Sequence, residues 1–485
     1  MPGPTPLDPR ACHRALAARD ARFDGVFFVG VSTTGIYCRP ICPARTPGAD
    51  RCAYFAHAAE AERAGFRACF RCRPELAPGA ASVDARSRLV RAALDAIERG
   101  TLEDGGVEPL AKRLGVTSRH LRRTLERELG VGPSELETTR RLAVAKQLLT
   151  DTSLPLAQVA LGAGFGSVRR FNDAFRARFD RRPSEVRRAR GGDAAPGVGP
   201  DLTLRLDHRA PLDWNALLAF LGPRATPGVE RVHAGAFERA LGVDGACGWI
   251  RVTARDDRPS LALVISAPLA LHAARIARAV RDLFDLDAHP DRVRAALETD
   301  ATMAALVRRR PGLRVPGAIA SFEAAVRGVL AQQVSVAAAT TLVGRVVDRL
   351  GGRASGGLPG LDATFPTPDR IADTSVERLA SIGMPAARAR ALRSLARGVA
   401  RGEIDLSGAH PPRDVVARLL ALPGIGPFTA EVIAMRALRD ADAFPAGDLV
   451  LARRLGKRAL ERAEAWRPYR AYAAMHLWTD EGAKR

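Results

Sequence analysis

The sequence predicts a multidomain protein, mainly α-helical with α+β parts. Three observations carry that expectation. The 485 residues exceed what one core fills, since roughly 150 residues per domain implies three or four domains. Six of the seven cysteines fall within the first 72 residues, which marks a separate module there. Apolar residues recur at helical spacing over 85–190 and beyond 288, whereas 201–287 mixes short strand-like runs with helical ones.

The boundaries follow from composition. Domains are expected at 1–78, 84–190, 201–287 and 288–485. A loop-like stretch with Pro78 and Gly79 covers 75–84, and GGDAAPGVGP at 191–200 is a Gly/Pro linker. Within the third domain, LTLRL (202–206), WIRVTA (249–254) and LALVIS (261–266) read as strands, followed by the helical AARIARAVRDLF. The Gly-rich GGRASGGLPG at 351–360 interrupts the helices of the fourth.

Composition also narrows function. With 47% apolar and 26% charged residues, wholesale disorder is excluded. No apolar run approaches the roughly 20 residues that span a bilayer. The N-terminus lacks a charged segment followed by an apolar one, so no secretory signal is expected. A cytoplasmic protein without membrane partners follows. The 74 Lys+Arg against 53 Asp+Glu leave a formal net charge of +21, which points to a polyanion, nucleic acid first. Lys112, Lys146, Lys457 and Lys484 are the only lysines, a bias that GC-rich coding explains as readily as chemistry.

Cys38 and Cys42 form a C-x3-C pair and Cys69 and Cys72 a C-x2-C pair, separated by 26 residues. Paired short spacings let two chain turns supply four thiolates to a tetrahedral Zn2+, in a structural knot or a reactive centre. Cys12 and Cys52 have no such partner. The stretches ARD (18–20), DGVFFVGVSTTGIYCRPIC (24–42) and AGFRACFRCRP (64–74) resemble the N-terminal domain of the Ada methylation-response proteins. That resemblance implies a small zinc-bound α/β module. It also implies suicidal transfer of a methyl group from a DNA phosphotriester to Cys38, with Cys42, Cys69 and Cys72 as the other zinc ligands. The tetrapeptide Ala11-Cys12-His13-Arg14 is similar to the active-site motif of alkylguanine methyltransferases. It lacks the proline and the surrounding domain, so that activity is not expected.

Two segments share a helix, a Gly-containing turn and a Ser- or Thr-opened second helix: 109–123 and 156–171. Leu121, Leu125 and Leu129, then Phe171, Phe175 and Phe179, form the apolar stripes. Arg119, Arg122 and Arg123, then Arg169, Arg170 and Asn172, lie off those stripes, either as solvated residues or as groove contacts. The region 84–188 is similar to AraC-type DNA-binding domains. That similarity implies two helix-turn-helix units joined by a long helix at about 133–149, set for successive major grooves about 34 Å apart. A transcription activator of this kind implies promoter DNA and RNA polymerase as partners.

Leu422-Pro423-Gly424-Ile425-Gly426-Pro427-Phe428-Thr429-Ala430 joins two helical runs, and such a Gly-x-Gly hairpin suits a phosphate backbone or a tight packed turn. Asp448 stands in a Pro/Gly-rich turn at the head of a helix, where it reads equally as an N-cap. With LFDLDAHPDRV (283–293), RPGLRVPGAIASFEAAVRGVLAQQVSVAAA (310–339), FPTPDRIA (365–372), IGMPAARARAL (382–392) and ERAEAWRPYRAYAAMHLW (461–478), these resemble the AlkA-like helix-hairpin-helix DNA glycosylases. The resemblance implies a mixed α/β domain ahead of an all-α helix-hairpin-helix domain. It implies a glycosylase that excises alkylated purines of the 3-methyladenine type.

On the matching positions, Asp448 is the catalytic carboxylate and Phe428 and Trp478 are pocket aromatics. Gly424, Gly426, Thr429 and Gln332 contact DNA. The duplex wedge falls on Gln333, polar where the family usually has an apolar residue. Phe428 occupies the position of the Schiff-base lysine of bifunctional relatives, so a monofunctional glycosylase is expected. The absence of a C-terminal cysteine set excludes an iron–sulfur cluster. The competing expectation is a purely regulatory DNA-binding protein whose glycosylase fold is inactive.

Overall fold

The computed structural model describes residues 7–79, 88–100, 102, 106–189, 201–354 and 357–482. The linker at 191–200 and residues 80–84 of the first loop lie outside those residues. Two compact units result. One joins Met1–Ala210 with Arg258–Arg278, the other Pro211–Asp257 with Ala279–Arg485.

The first unit opens with α1 (Pro9–Ala17), whose start is capped by the Asp8 carboxylate accepting from the Arg10 N–H. A four-stranded sheet follows, its strands in the spatial order Cys52–Phe55, Phe28–Val31, Ile36–Cys38, Arg67–Ala68. In it β1 (Phe28–Val31) runs antiparallel to β2 (Ile36–Cys38) and β3 (Cys52–Phe55), while β4 (Arg67–Ala68) runs parallel to β2. Phe27 and Val29 pack with Cys12, Ala15 and Leu16 beneath α1. The parallel register sets Tyr37 opposite Ala68, so Cys38 and Cys69 leave adjacent strands side by side. That pairing turns two distant cysteine motifs into one cluster. A short helix, α2 (Ala58–Arg63), connects β3 to β4.

Seven helices follow: α3 (Arg88–Glu98), α4 (Val107–Arg113), α5 (Ser118–Leu129), α6 (Pro133–Asp151), α7 (Leu156–Gly162), α8 (Val168–Phe179) and α9 (Pro183–Ala189). Leu121, Leu125, Leu129, Phe171, Phe175 and Phe179 are all buried, as the stripes required. Thr117 and Ser167 cap α5 and α8, their hydroxyls accepting from His120 and Arg170 N–H groups at 3.2 Å. The expected connecting helix is α6, running to Asp151. Strand Leu202–Asp207 pairs antiparallel with Ser260–Ile265 in this unit, Leu202 opposite Ile265.

In the second unit, Glu230–His233, Ala236–Val243 and Ala246–Ala254 form an antiparallel meander. The second strand escapes a pattern reading because two adjacent buried positions, on opposite faces, carry charge. Glu238 and Arg239 are only 2% and 3% exposed. Glu238 pairs with Arg231 and Arg251, and Arg239 with Glu230 and Glu323. Neutralised in pairs, these side chains occupy places that strand alternation reserves for apolar ones. The remainder is mainly helical, with a short antiparallel pair of Gly352–Arg353 and Ala363–Thr364, and Trp466, Phe237 and Phe284 are among the unit's fully buried side chains. No helix among the described residues is long and apolar enough to cross a membrane.

Candidate functional site

The sulfur atoms of Cys38, Cys42, Cys69 and Cys72 all lie within 4.8 Å of one another. A tetrahedral Zn2+ with bonds of ~2.3 Å requires sulfur separations of about 3.8 Å, so this donor set fits the ion. Contact with Cys42 pushes the Cys38 thiol up, whereas contact with Cys38 holds Cys42 down to about 7 and Cys69 below the thiol range. Four clustered thiolates repel, and a divalent cation is what allows all four to ionise. Backbone N–H groups of Arg39 and Arg71 donate to the Cys72 and Cys69 sulfurs at 3.3 Å, favouring the anionic forms. Cys42, Cys69 and Cys72 are buried; Cys38 is half-buried and the accessible member.

Two cations that spacing did not single out hold this cluster. Arg39, buried beside Cys38, donates from Nε to Asp24 at 2.8 Å, and from Nη1 to Asp207 at 2.9 Å and the Cys72 carbonyl at 3.3 Å. Lys146 on α6 is fully buried, its Nζ donating to the Cys69 carbonyl at 2.8 Å and to Glu75 at 2.9 Å. The same ammonium stands 4.6 Å from the Phe70 ring centroid, and Phe70 meets Phe179 of α8 edge-on at 5.8 Å. A zinc-ligand loop is thereby tied to the helix-turn-helix core. A lone lysine in a long helix ordinarily reads as solvated, so sequence offered no signal for it. Cys12 is buried within α1, and its neighbour His13 meets the Tyr54 hydroxyl at 3.1 Å, as a packing site would.

On the helix-turn-helix units, Arg119, Arg122, Arg169, Arg170 and Asn172 are all exposed. Arg169 reaches Asp173 one turn on at 4.0 Å, a weak solvated pair that leaves the guanidinium available.

In the second unit the hairpin lies between helices Pro412–Leu420 and Pro427–Arg436. Gly424 adopts φ +84°, and a Cβ there would come within 2.9 Å of the Ala391 Cβ, so both dihedral and space require glycine. Gly424 and Gly426 are exposed. Thr429 is not: it is 2% exposed, and its hydroxyl accepts from Gln332 Nε2 at 3.0 Å. Gln332 Nε2 also donates to the Gly424 carbonyl at 2.9 Å, so Thr429 and Gln332 brace the hairpin from within. Gln333 is exposed and left-handed, φ 53°, a strained conformation that projects it from the turn after helix Ser321–Leu330.

Asp448 is both an N-cap and a cavity residue. Its Oδ1 accepts from Val450 N–H at 2.9 Å, Leu451 N–H at 3.1 Å and Trp478 Nε1 at 2.9 Å. Oδ2 takes no hydrogen bond among the described residues. The helix N-terminus and the indole therefore fix the carboxylate's orientation while one oxygen stays free. Asp448, Phe428 and Trp478 line a cavity of about 510 Å³ together with Phe220, Arg224 and Arg436. Lysine is absent from its described lining. Lys484 and the side chain of Lys457 lie outside the described residues.

Known proteins share this arrangement. Residues 11–75 match the metal binding domain of Ada, 110–189 a helix-turn-helix domain, 203–320 the AlkA N-terminal domain, and 326–468 the HhH-GPD superfamily of base excision DNA repair proteins. The probable bifunctional transcriptional activator/DNA repair enzyme AlkA of Mycobacterium tuberculosis is 41% identical over 481 residues, covering 96% of this chain and 95% of the relative. DNA-3-methyladenine glycosylase 2 of Escherichia coli is 35% identical over 286 residues, 57% of this chain and 97% of the relative. The bifunctional transcriptional activator/DNA repair enzyme Ada of Escherichia coli is 32% identical over 152 residues, 31% of this chain and 41% of the relative. With Zn2+ as its cofactor and DNA as its partner, the chain belongs to the AlkA-type family of bifunctional transcriptional activators and DNA repair enzymes.

Proposed function

We propose that Asp448 carries the excision of alkylated purines and that Cys38 is a single-use methyl acceptor signalling to the helix-turn-helix units. The observation that supports the first part most is the geometry of Asp448: Oδ1 held by three donors, Oδ2 free, in a cavity faced by Phe428 and Trp478. Alkylation makes a purine cationic and a good leaving group. As its N-glycosidic bond breaks, positive charge grows on the sugar, and a fixed carboxylate stabilises it without reorganising. The flipped base rests against aromatic faces, which attract cations. Gly424 and Gly426 offer exposed backbone to the phosphates, and Gln333 fills the vacated stack. Strand cleavage is not expected, since Phe428 stands where bifunctional relatives carry the Schiff-base lysine and the described lining of the cavity holds no lysine.

At the other centre, accessibility supports Cys38 over its buried neighbours. Bound Zn2+ keeps the four sulfurs deprotonated at neutral pH. The Cys38 sulfur takes the methyl carbon, the C–O bond breaks, and its electron pair stays on the phosphate as an ordinary anionic diester. A neutral triester can approach an anionic cluster that repels diesters. Becoming a thioether removes one negative charge, so the module then binds backbone more firmly. Arg119, Arg122, Arg169, Arg170 and Asn172 would read promoter DNA, with RNA polymerase as the activator's further partner.

The test is release of free alkylpurine from alkylated duplex DNA by wild type and by Asp448→Asn. Release by wild type alone supports the assignment. Equal release by both moves catalysis elsewhere, and none from either leaves a regulator with an inactive glycosylase fold. A parallel methyl-transfer assay with Cys38→Ala checks the acceptor: labelling that persists in the variant removes Cys38 from that role.

A further inference from the structure

Arg39 follows Cys38 directly and is buried. Its Nε and Nη2 donate to the two carboxylate oxygens of Asp24, and its Nη1 donates to Asp207 Oδ2 at 2.9 Å and to the Cys72 carbonyl at 3.3 Å. Asp24 precedes β1 and is local to the cysteine module. Asp207 is not: it ends the strand Leu202–Asp207, within the segment 203–320 that matches the AlkA N-terminal domain. It nevertheless belongs to the same compact unit as the cysteines. Two further side chains seat this segment. Arg209, also buried, donates from Nε to the Asp24 carbonyl at 3.0 Å and from Nη2 to the Pro78 and Gly79 carbonyls at 3.3 and 3.0 Å. Gln147 of α6 donates from Nε2 to the Arg205 carbonyl at 3.0 Å. The seat for Arg209 is shaped by Gly25, at φ +71°, where a Cβ would come within 1.9 Å of the Pro78 carbonyl oxygen and 3.1 Å of Arg209 Nη2.

A guanidinium is planar and its donors form a rigid fork, so carboxylates on two different edges fix its rotation. Asp24 takes one edge of Arg39. Asp207 takes Nη1 and thereby aims the other Nη1 N–H at the Cys72 carbonyl. The backbone N–H of the same residue donates to the Cys72 sulfur at 3.3 Å, so side chain and main chain of Arg39 together grip the turn of one cluster cysteine. Without Asp207, a buried donor loses its charged partner and the grip on Cys72 loosens. We propose that Asp207 is a positioning residue of the methyl-acceptor centre, acting through Arg39 on the Cys72 turn, so that the segment after the linker holds the zinc site in shape. The proposal rests on the reading of Cys38 as methyl acceptor in a four-cysteine zinc site. Arg205, whose Nε lies 2.9 Å from Asp207 Oδ1, steadies the carboxylate from its other side.

The experiment loads the full chain with Zn2+ and follows release of the ion to a chromophoric chelator, well below the unfolding temperature. It compares wild type, Asp207→Ala, Asp207→Asn, Arg39→Met and the double variant Arg39→Met with Asp207→Ala. Loss of a buried charged hydrogen bond should speed release about tenfold in Asp207→Ala, and less in Asp207→Asn, whose side-chain oxygen still accepts from Nη1. Methyl transfer from a DNA phosphotriester to Cys38 should slow in the same order. In the Arg39→Met background, Asp207→Ala should add nothing to either change, because the group it acts through is gone. A release rate in Asp207→Ala equal to that of wild type overturns the proposal. So does an equal acceleration in both backgrounds, which a general loss of stability would give. A wild type that holds Zn2+ but leaves Cys38 unlabelled overturns the acceptor reading, and this proposal with it. The first two outcomes leave that reading standing, so the failures are distinguished.

Discussion

The cysteine cluster and the glycosylase cavity both depend on an anion held by backbone N–H groups, yet they are assembled in opposite ways. The cluster draws its reactive atoms from two short segments, 38–42 and 69–72, joined by one parallel strand pairing. The cavity gathers Phe220, Arg224, Phe428, Arg436, Asp448 and Trp478 from across more than half of the chain. A metal site is specified by local spacing because the ion itself supplies the long-range attraction. A cavity has no such centre and must be closed by packing. The first should fail through its cation, the second through its orientation.

The largest expected effect breaks the comparison at the metal. Structural Zn2+ contributes about 10–16 kcal/mol of folding free energy in small modules at pH 7, so chelation should unfold the cysteine module. Near-UV circular dichroism would report that loss, while alkylpurine release should persist. Loss of both together would mean that the cavity also depends on the metal.

A smaller effect is expected at Lys146, the buried cation behind the zinc loop. Lys146→Met leaves Glu75, with a side chain 3% exposed, paired with Arg73 alone at 2.9 Å, so the loss should stay below the about 3–5 kcal/mol of a buried charge left without any partner. Thermal unfolding of the variant should show the loss, and adding Glu75→Gln should recover part of it. An unchanged melting temperature would remove Lys146 from the support of the cluster.

The smallest effect sharpens the cavity side. Trp478→Phe keeps an aromatic face but deletes the donor that holds Asp448 Oδ1 at 2.9 Å. Losing one hydrogen bond to a charged group should slow base release roughly tenfold, with substrate affinity little changed. A larger loss in affinity than in rate would assign Trp478 to base stacking rather than to orientation of the carboxylate.

Much of this was legible in the sequence, for identifiable reasons. The stripes Leu121-Leu125-Leu129 and Phe171-Phe175-Phe179 follow helical period, and every one of those side chains is buried. Asp448 and Trp478 were recognised separately, by motif resemblance, whereas the hydrogen bond joining them spans 30 residues and no spacing rule contains it. Strand Ala236–Val243 was illegible because Glu238 and Arg239, buried on its opposite faces, take partners from other segments. Thr429 and Gln332 were assigned to DNA by resemblance; in the fold the buried Thr429 hydroxyl accepts from the half-buried Gln332, which also donates to the Gly424 carbonyl, and no spacing rule contains those bonds.

The sequence by itself determined the order of parts, the two cysteine pairs and the basic charge of +21, since composition and short-range spacing survive in any conformation. Tertiary structure alone decided how charges that repel in water are made to coexist. It set Lys146 on the Cys69 carbonyl, Arg39 between Asp24 and Asp207, and Arg224 and Arg436 about one aromatic ring. Those placements follow from desolvation, which makes a buried ion's partner obligatory but leaves no periodic trace in the chain.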